Sequence, residues 1–574
     1  MAFALRAVNS NISDKISSPR KNCAQSQFKF IDNFNNVQYE REHCNARTRR
    51  RSMVGYVSGA SLVFALCLQQ VFAANILAVI SFTSPSSFIL LTPYVKALVL
   101  KGHEVTIISA GSQHVADFDG VHHIRVNALN HLIEDFRESC MDLKFPMQKW
   151  EEASFVANFF YNSSFHVLND PGVQSLLQDK SAQFDMVIVE TTFTDALYGF
   201  AQHFNAPLVG LSICGASWNI NYLAGNKAIS VYEPIVSSGY STGFSVLNKI
   251  KNWIYITEEW LLEQMIYLPK QLALYKRFFN ESAESLHNIR QNFALILINQ
   301  HFSLGRARSN VPNVIEVAGM HLEQPITELD QELQQFMDEA EHGVIVFSMG
   351  TAITGKWFPD KLIEMMLQSF DQLPQRIVLK FDQPLPIKSH KIYLRSTLPQ
   401  RALLAHPKVK LFITHGGILS IIEAAYSSVP MLCMPLYYDQ LGNSKLMEQS
   451  GLAQILDFST MTVESITNSI KEIIENPLYK QNAQQISTRL RDLPMSPLEN
   501  AVWWTEYVLR HKGAPHMRIS MEDMSLIQYY NLDFISVLIL RSGVALLIIF
   551  CVSLKLVIFL LQRSQFRLTV PILY

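Results

Sequence analysis

Short apolar runs alternate with helix-like stretches through the first half of the chain. Ile76–Ile80 and Glu104–Ile108 have the length and the β-branched content of buried strands. Between them, Phe88–Leu100 repeats apolar residues at helical spacing, and Gly102 follows at a position where helices commonly end. This order predicts a strand–helix–strand unit at the start of an α/β domain.

The same alternation continues on both sides of a break near Gly305–Leu329, where prolines and glycines interrupt it. In the first half, the strand-like runs Met186–Val189 and Pro207–Leu211 flank a predicted helix, Asp195–His203. The second half contains four predicted strands and further helices: Val344–Ser348, Ile377–Phe381, Val409–Thr414, Met431–Met434, with Pro359–Leu373 and Ile418–Ser427 as helices. Two doubly wound α/β domains follow from this pattern.

An apolar segment of a different kind lies near the end of the chain. Phe534–Leu561 is apolar apart from Arg541 and Lys555, and it exceeds the roughly 20 residues that a transmembrane helix needs. Basic residues follow it and acidic residues precede it, so the positive-inside rule predicts a cytosolic tail at 562–574 and a lumenal location for the rest. A buried helical hairpin is the alternative interpretation.

A shorter apolar run near the start has the features of a secretory signal peptide at 53–73. Ala60–Leu68 follows a basic stretch and precedes the small residues of a signal-peptidase site. The polar segment 1–52 has no periodicity, so it is either a disordered leader or an over-extended start with Met53 as the initiator. The Asn-X-Ser sequons at Asn162 and Asn280 are predicted glycosylation sites, which suits a lumenal compartment.

Composition narrows the classes of function. Over 574 residues, 48 basic and 49 acidic side chains give a net charge of −1, which lacks the basic surplus of nucleic-acid-binding proteins. The seven cysteines lie far apart, without a C-x-x-C pair, so they predict neither a zinc site nor a dense disulfide framework. Hydrophobic residues make up 49% of the chain, which favours a membrane segment.

The most specific chemistry lies between Phe412 and Gln440, in the order strand, glycine turn, helix, strand, loop. His415-Gly416-Gly417 places backbone N–H groups and a helix N-terminus where a diphosphate binds well. Glu423, further along the helix, is an acceptor for ribose hydroxyls, and Asp439-Gln440 offers an acceptor and an amide to a sugar. The turn alone is also an ordinary strand-to-helix connection, but the combined spacing indicates a nucleotide-sugar site.

With this stretch the chain resembles the animal UDP-glycosyltransferases, and Ile418-Leu419-Ser420 resembles their invertebrate members. The resemblance covers about residues 75–565 and includes Lys101–Thr106, Phe347–Thr351, Leu398–Gln400, Leu404–Pro407 and Trp504–His516. It implies a GT-B fold, with two Rossmann-like doubly wound domains plus a C-terminal transmembrane helix. The implied parts are an acceptor-binding domain at 74–310, a linker at 311–340, a UDP-sugar-binding domain at 341–530 and the membrane helix at 534–561.

The resemblance also implies roles for particular residues of the second domain. Expected contacts to the diphosphate come from Ser348, His415, Gly417 and Ser420. Gln400 is expected at the uracil or ribose, Glu423 at the ribose, and Asp439 with Gln440 at the transferred sugar.

Two positions depart from the family pattern. Thr397 stands where the family usually has a Trp that stacks under uracil, a contact worth about 1–3 kcal/mol, unless another ring replaces it. Ser87 stands at the usual position of the His that takes the acceptor proton. Glu190 occupies the place of that base's carboxylate partner, and Asp195 is the alternative, with a helix N-cap as its non-catalytic interpretation.

The resemblance therefore implies inverting transfer of a hexose, glucose or glucuronic acid, from a UDP-sugar to a small lipophilic acceptor at the endoplasmic-reticulum membrane. The UDP-sugar is a co-substrate, and no cofactor or metal ion is expected. Homo- or hetero-oligomer formation is left open. The alternative is a catalytically weak homologue that binds lipophilic ligands or modulates an active partner, because of Ser87 and Thr397. A soluble UDP-sugar epimerase of similar fold is disfavoured by the signal peptide and the anchor.

Overall fold

The structure is a computed structural model that describes residues 73–81, 84–110, 119–139, 148–226, 245–305, 310–351, 353–386, 389–458, 460–518, 527 and 531–568. The predicted leader at 1–52 and the predicted signal peptide up to residue 72 lie outside the described residues.

The first half of the described chain forms one parallel sheet. Its strands are β1 (Asn75–Val79), β2 (Glu104–Ser109), β3 (Val121–Arg125), β4 (Met186–Glu190), β5 (Leu208–Ser212), β6 (Phe293–Ile298) and β7 (Val314–Glu316). They lie in the order β3-β2-β1-β4-β5-β6-β7, and every neighbouring pair is parallel. The central strands β4, β5 and β6 are buried at every residue because helices cover both faces of the sheet.

The helices of this half connect the strands and extend the domain on one side. They are α1 (Pro85–Leu100), α2 (Ala128–Ser139), α3 (Lys149–Asn169), α4 (Pro171–Gln178), α5 (Gly199–His203), α6 (Trp218–Leu223), α7 (Val246–Leu262), α8 (Leu268–Phe279) and α9 (Ala283–Arg290). A π-helical turn, Glu263–Tyr267, joins α7 to α8. The predicted helix Asp195–His203 is a 3₁₀ turn, Asp195–Tyr198, followed directly by α5.

The second half repeats the architecture with a smaller parallel sheet. Its strands are β8 (Val344–Ser348), β9 (Arg376–Lys380), β10 (Ile392–Arg395), β11 (Val409–Thr414), β12 (Met431–Cys433) and β13 (Ala453–Ile455), in the order β10-β9-β8-β11-β12-β13. The helices are α10 (Gln331–Asp338), α11 (Asp360–Asp371), α12 (Gln400–Ala405), α13 (Ile418–Tyr426), α14 (Gln440–Gln449), α15 (Val463–Glu475), α16 (Pro477–Arg491), α17 (Pro497–His511) and α18 (Leu532–Leu568).

Both sheets have the switch in strand order at which α/β proteins bind ligands. In the first sheet the order reverses between β1 and β4, and in the second between β8 and β11. Ligands of doubly wound sheets bind beyond the carboxyl ends of the strands at this switch. The predicted residues Glu190 and His415 lie at or just after the ends of β4 and β11, so the topology directs attention to those two strand ends.

The predicted domain boundaries need two corrections. The predicted linker 311–340 contains β7, which pairs with β6 of the first sheet because its apolar residues complete that edge. Helix α17, predicted within the second domain, packs on the first, where Val502 and Val508 are part of the hydrophobic core. There the side-chain oxygens of Tyr94 and Thr505 lie 2.6 Å apart in a buried hydrogen bond.

Helix α18 is apolar on all sides. The most apolar 18 residues within its span Leu532–Arg563 have a mean hydropathy of 3.0 and none of them is buried against the protein, so the alternative of a buried hairpin is wrong. Among the described residues it is the one helix long and apolar enough to cross a membrane. The helix also takes in the first residues of the predicted tail 562–574, as far as Leu568.

Candidate active site

A large cavity of about 380 Å³ lies beyond the carboxyl ends of the second sheet and against the start of α1. Residues from both halves of the chain line it, including Ser86 and Cys214 from the first half. Seven of the nine predicted donor residues line it: Gln400, His415, Gly417, Ser420, Glu423, Asp439 and Gln440. The fold therefore brings together side chains that the sequence places in three separate segments.

The imidazole of His415 is held between two glycines at the centre of this cavity. A Cβ added to Gly350 would lie 2.6 Å from Cε1 of His415, and one added to Gly417 would meet the same ring at Nε2. Burial, together with the charge of Lys380, lowers the pKa of His415 to about 4. The ring is therefore neutral at physiological pH, so it can act as an N–H donor but not as a cation.

The positive charge in this part of the cavity belongs to Lys380, which the sequence analysis did not single out. Lys380 ends β9 and donates from Nζ to the carbonyl oxygen of Gly350 at 2.6 Å. It lines the cavity beside His415. The signal in the sequence was a single lysine at the carboxyl end of an otherwise apolar predicted strand.

Gln400, Ser420 and Glu423 form a hydrogen-bonded group that lines the large cavity. The amide of Gln400 donates to the hydroxyl of Ser420 at 3.1 Å and to Oε2 of Glu423 at 2.6 Å. Nε2 of His321 lies 3.6 Å from Oε1 of Glu423. These contacts fix a carboxylate in the lining of the cavity, and a carboxylate can accept hydrogen bonds from the two vicinal hydroxyls of a ribose.

Asp439 and Gln440, at the start of α14, also line the large cavity. Oε1 of Gln440 accepts a hydrogen bond from the backbone N–H of Leu436 at 2.8 Å, which stabilises the loop before α14. Asn443 donates to Oδ2 of Asp439 at 2.8 Å, and burial raises the pKa of Asp439 to about 7. The backbone N–H of Tyr438 donates to Oε1 of Glu152 in α3 at 2.7 Å, so this loop also joins the two domains.

Two predicted donor residues do not line the large cavity. Ser348 ends β8, is buried, and accepts a hydrogen bond from the N–H of Gly350 at 3.4 Å, so it supports the turn rather than facing the cavity. Thr397 is exposed outside it. The aromatic rings among the described lining residues are Tyr437 and Tyr438, which precede Asp439 in the chain. The lining residues next to Gln400 in the chain are Leu398, Pro399, Arg401 and Ala402, none of which is aromatic.

Ser87, at the usual position of the catalytic histidine, lies just behind the cavity wall. It is fully buried in the first turn of α1, and its hydroxyl has no hydrogen-bond partner among the described residues. Its neighbours Ser84 and Ser86 line the cavity instead, with their hydroxyl oxygens 2.7 Å apart.

Glu190 and Asp195, the two candidate carboxylates, have different surroundings. Oε1 of Glu190 accepts from the N–H of Thr192 at 2.9 Å, and burial raises the pKa of Glu190 to about 8. Burial, together with the negative charge of Glu190, raises the pKa values of Cys214 and Tyr438, which line the cavity. Asp195 is instead paired with buried Arg290, Nε to Oδ1 at 2.6 Å, so we correct both of its predicted roles, catalytic residue and helix N-cap, to that of an ion-pair partner.

The two predicted glycosylation sites are accessible. Asn162 is exposed on α3, and Asn280 is exposed at the C-terminal end of α8 with a left-handed φ of 55°.

A small cavity of about 60 Å³ adjoins the large one and was missed by the sequence analysis. The two share Cys214, Tyr438 and Asp439. The rest of its lining comes from Phe193 after β4, from α3, from α6 with the serine before it, from the end of α7 and from the π-helical turn that follows. The spacing of these segments in the sequence gave no signal.

Comparisons with known proteins agree on one family. Residues 77–565 match the family model described as UDP-glucoronosyl and UDP-glucosyl transferase. The chain is 33% identical to UDP-glycosyltransferase UGT5 of Dactylopius coccus over 485 residues, which is 83% of this chain and 91% of that protein. It is 30% identical to UDP-glucuronosyltransferase 2B33 of Macaca mulatta over 477 residues, 79% of this chain and 88% of that one.

A solved structure, the glycotransferase of kitacinnamycin, matches with a TM-score of 0.52 over 76% of this chain and 99% of its own. At 16% identity this likeness concerns the fold alone. Together with the two parallel-sheet domains and α18, it confirms the predicted GT-B fold with a C-terminal apolar helix.

Proposed function

Because this chain belongs to the UDP-glucuronosyl- and UDP-glucosyltransferase family, and is therefore a glycosyltransferase that uses a UDP-sugar, we propose that it transfers glucose or glucuronic acid with inversion to a small lipophilic acceptor. The observation that carries the proposal is the large cavity, where polar groups suited to the ribose, the diphosphate and the sugar of a UDP-sugar converge. Glu423 and Gln400 bind the ribose end, His415 and the N-terminus of α13 bind the diphosphate, and Asp439 with Gln440 binds the sugar.

The diphosphate end of this site stabilises the leaving group. In the reaction, the acceptor oxygen attacks the anomeric carbon on the face opposite UDP, and the bond from that carbon to the diphosphate oxygen breaks. UDP leaves with both electrons of that bond, so negative charge increases on the diphosphate. The neutral N–H of His415, the ammonium of Lys380 and the backbone at Gly417 lie where they stabilise this charge, and we expect no requirement for a metal ion or cofactor.

The acceptor proton passes in this proposal to Glu190, through a water molecule, because Glu190 lies behind Cys214 and Tyr438 rather than on the cavity surface. A pKa of about 8 places this carboxylate closer to the pH of the lumen than an ordinary glutamate, which makes it a more effective base. Ser87 has no proton-accepting group and takes no part in this step.

We place the enzyme in the endoplasmic-reticulum membrane with a single pass. Helix α18 is the anchor, the two domains lie in the lumen and the residues after the helix lie in the cytosol. Exposure of Asn162 and Asn280 supports a glycosylated lumenal domain.

A second candidate function is a catalytically weak homologue that binds lipophilic ligands or modulates an active partner. It is favoured by the buried, unpartnered hydroxyl of Ser87 at the position of the usual base. It is also favoured by Thr397, which is exposed outside the cavity, and by the lack of an aromatic residue among the described lining residues next to Gln400 in the chain.

The experiment that separates the two measures UDP release by the full-length protein from UDP-glucose and UDP-glucuronic acid, with phenols, alcohols and amines as acceptors. An enzyme releases UDP in proportion to acceptor and loses this activity on His415→Ala. UDP binding without acceptor-dependent release would support the second candidate and overturn the first.

A further inference from the structure

The small cavity has a strongly acidic lining. Four carboxylates line it, from Glu152, Glu259, Glu263 and Asp439, against one amine, that of Lys149. Lys149 lies 3.0 Å from Oε1 of Glu259, which offsets one of the four negative charges. Burial raises the pKa of Glu152, Glu263 and Asp439, because the ionised forms are unfavourable away from water, and a cationic ligand would stabilise those ionised forms.

One of these carboxylates has an oxygen that no protein group engages. Glu263 is only 1% exposed, and its Oε1 pairs with Arg290. The charge of Arg290 is also shared with Asp195. Oε2 of Glu263 is buried and has no hydrogen-bond partner among the described residues. A buried carboxylate oxygen without a hydrogen-bond donor is unfavourable, so a ligand that donates a hydrogen bond to it is stabilised there.

Aromatic rings form the other walls of the small cavity. Phe193, Trp218, Tyr267 and Tyr438 all line it. The rings of Phe193 and Tyr267 are stacked with their centroids 3.8 Å apart. Aromatic faces combined with carboxylates are the usual recognition chemistry of organic ammonium groups. A metal ion is a poor fit, since no three potential ligand side chains are grouped among the described residues.

The position of the small cavity relates it to the acceptor. It shares Cys214, Tyr438 and Asp439 with the large cavity, at the end where the transferred sugar is proposed to lie. With about 60 Å³ against about 380 Å³, it has room for an ammonium group on a short chain but not for an aromatic body. An acceptor anchored there by its ammonium group therefore keeps its remaining atoms beside the sugar.

We propose that the small cavity binds the ammonium group of the acceptor, so that the preferred acceptors are phenols or alcohols carrying a primary amine on a short chain. This inference rests on the proposed function, because it names the acceptor class of the same site. The hydroxyl remains the nucleophile, and the ammonium group is retained unchanged in the product.

The test compares three phenols that differ only at the end of a short chain. Tyramine carries an ammonium group, para-propylphenol a methyl group and para-hydroxyphenylpropanoate a carboxylate. Calorimetry with the full-length protein in detergent and saturating UDP is expected to give a dissociation constant for tyramine roughly tenfold lower than for para-propylphenol, and the weakest binding for the propanoate. Equal affinities for tyramine and para-propylphenol would overturn the proposal.

Three variants of residues that line the small cavity test the same preference for tyramine. Glu263→Gln is expected to remove most of the preference for tyramine and to leave para-propylphenol binding unchanged. Since Glu263 also pairs with Arg290, Glu259→Gln serves as a second loss variant with less risk to folding. Lys149→Gln removes the cation of the lining and is expected to strengthen tyramine binding, which general damage to the fold would not do.

Glu258→Gln is the matched control. Glu258 contacts the same lysine, Lys149 Nζ to Oε2 at 2.9 Å, but does not line the small cavity, so the preference for tyramine is expected to persist. If Glu263→Gln, Glu259→Gln and Lys149→Gln all leave the preference for tyramine unchanged, as this control does, the proposal fails.

Turnover separates this inference from the proposed function. UDP release with para-propylphenol tests sugar transfer alone, whereas the binding constants report the small cavity whether or not transfer occurs. Transfer to all three phenols with equal affinity would keep the proposed function and overturn the inference. Selective binding of tyramine without UDP release would keep the inference and overturn the proposed function.

Discussion

At the residue scale, the glycines of the His415 turn are explained by their neighbours. Gly350 has a φ of +79° and faces the imidazole of His415, so any side chain there is strained and displaces the ring. Gly416 has a φ of +84°, and an added Cβ meets the hydroxyl of Ser444. Gly417, which the sequence suggested for a phosphate turn, and Gly350, which it did not, therefore both leave room for the ring of His415.

Replacing Glu423 by alanine is expected to weaken UDP binding about ten- to hundredfold. The change removes a charged hydrogen-bond acceptor, worth roughly 1.5–3 kcal/mol, and leaves the amide of Gln400 without its 2.6 Å partner. Isothermal titration calorimetry of UDP measures the effect, with Glu475→Ala, an exposed glutamate of α15 in the same domain, as the control. Unchanged affinity in Glu423→Ala would remove Glu423 from the donor site.

Replacing Glu190 by glutamine is expected to change the pH dependence of stability. The pKa of Glu190 is about 8 in the folded protein against 4.5 for an unperturbed glutamate, so between these values the folded state holds a proton that the unfolded chain has released. Rising pH therefore lowers the free energy of unfolding of the wild type between these two pH values. The stabilisation that the protonated Glu190 provides is lost once the pH passes about 8. Glutamine does not ionise, so the melting temperature of the variant relative to wild type should rise between about pH 5 and pH 8.

The Glu190→Gln comparison has a defined contrary result. Melting temperatures of variant and wild type that run parallel across the window would show that Glu190 ionises at an ordinary pH and is no better base than a surface carboxylate.

At the element scale, two apolar helices have opposite surroundings. Helix α13 is short and buried on most sides, and its N-terminus opens on the large cavity at Gly417. Helix α18 is apolar throughout but exposed at every described side chain. The two helices differ in length. The candidate membrane span of α18 has 32 residues, more than a hydrocarbon core needs, whereas α13 has 9 residues.

A protein ending at Arg518 is expected to be released from membranes by alkaline carbonate, whereas the full-length protein is retained. Carbonate removes proteins held by surface contacts and leaves those with a membrane-spanning helix. The measurement is the fraction of protein in the supernatant after carbonate treatment of microsomes, with a lumenal soluble protein as the control. Extraction of the full-length protein would contradict the assignment of α18 as an anchor.

At the scale of the whole molecule, the last helices hold the two domains together. Arg401 in α12 of the second domain donates to the carbonyl oxygen of His321 at 3.0 Å, which fixes the connection between the domains. Glu323 in that connection accepts from the N–H of Leu498 at 2.8 Å. Helix α17 then covers α1 of the first domain, so the chain crosses between the domains twice.

Replacing Thr505 by valine is expected to lower the free energy of unfolding by about 1–3 kcal/mol, because it leaves the hydroxyl of Tyr94 buried without its partner. Thr488→Val is the matched control. The hydroxyl of Thr488 donates to a backbone carbonyl of its own helix at 2.9 Å, as the hydroxyl of Thr505 does at 2.7 Å, but Thr488 is exposed. Thr488→Val should therefore lower the free energy of unfolding by less than about 0.5 kcal/mol. Denaturant unfolding measures both.

Adding Tyr94→Phe to Thr505→Val should recover part of the loss, because the double variant leaves no buried hydroxyl unpaired. Equal effects of Thr505→Val and Thr488→Val would show that α17 contributes little to the first domain.

Much of this protein could be predicted from contiguous sequence. The stretch Phe412–Gln440 combines a strand, a turn, a helix and a loop, and its side chains converge because each connection is short. Most of the buried strands on which the two-domain prediction rested begin and end within one or two residues of the predicted runs. The apolar length of α18 is likewise a local property. Local connections and hydrophobic periodicity therefore determined the fold class, the core of the donor site and the apolar helix.

Only the tertiary structure decided which distant residues meet. Asp195 is paired with Arg290, 95 residues away, which removes it from the candidate bases. Thr505 bonds Tyr94 across 411 residues, which assigns α17 to the first domain. Glu263 reaches the small cavity from a π-helical turn outside any motif. Such contacts depend on how whole elements pack, and no local spacing encodes them because the loops between the elements carry no information about that packing.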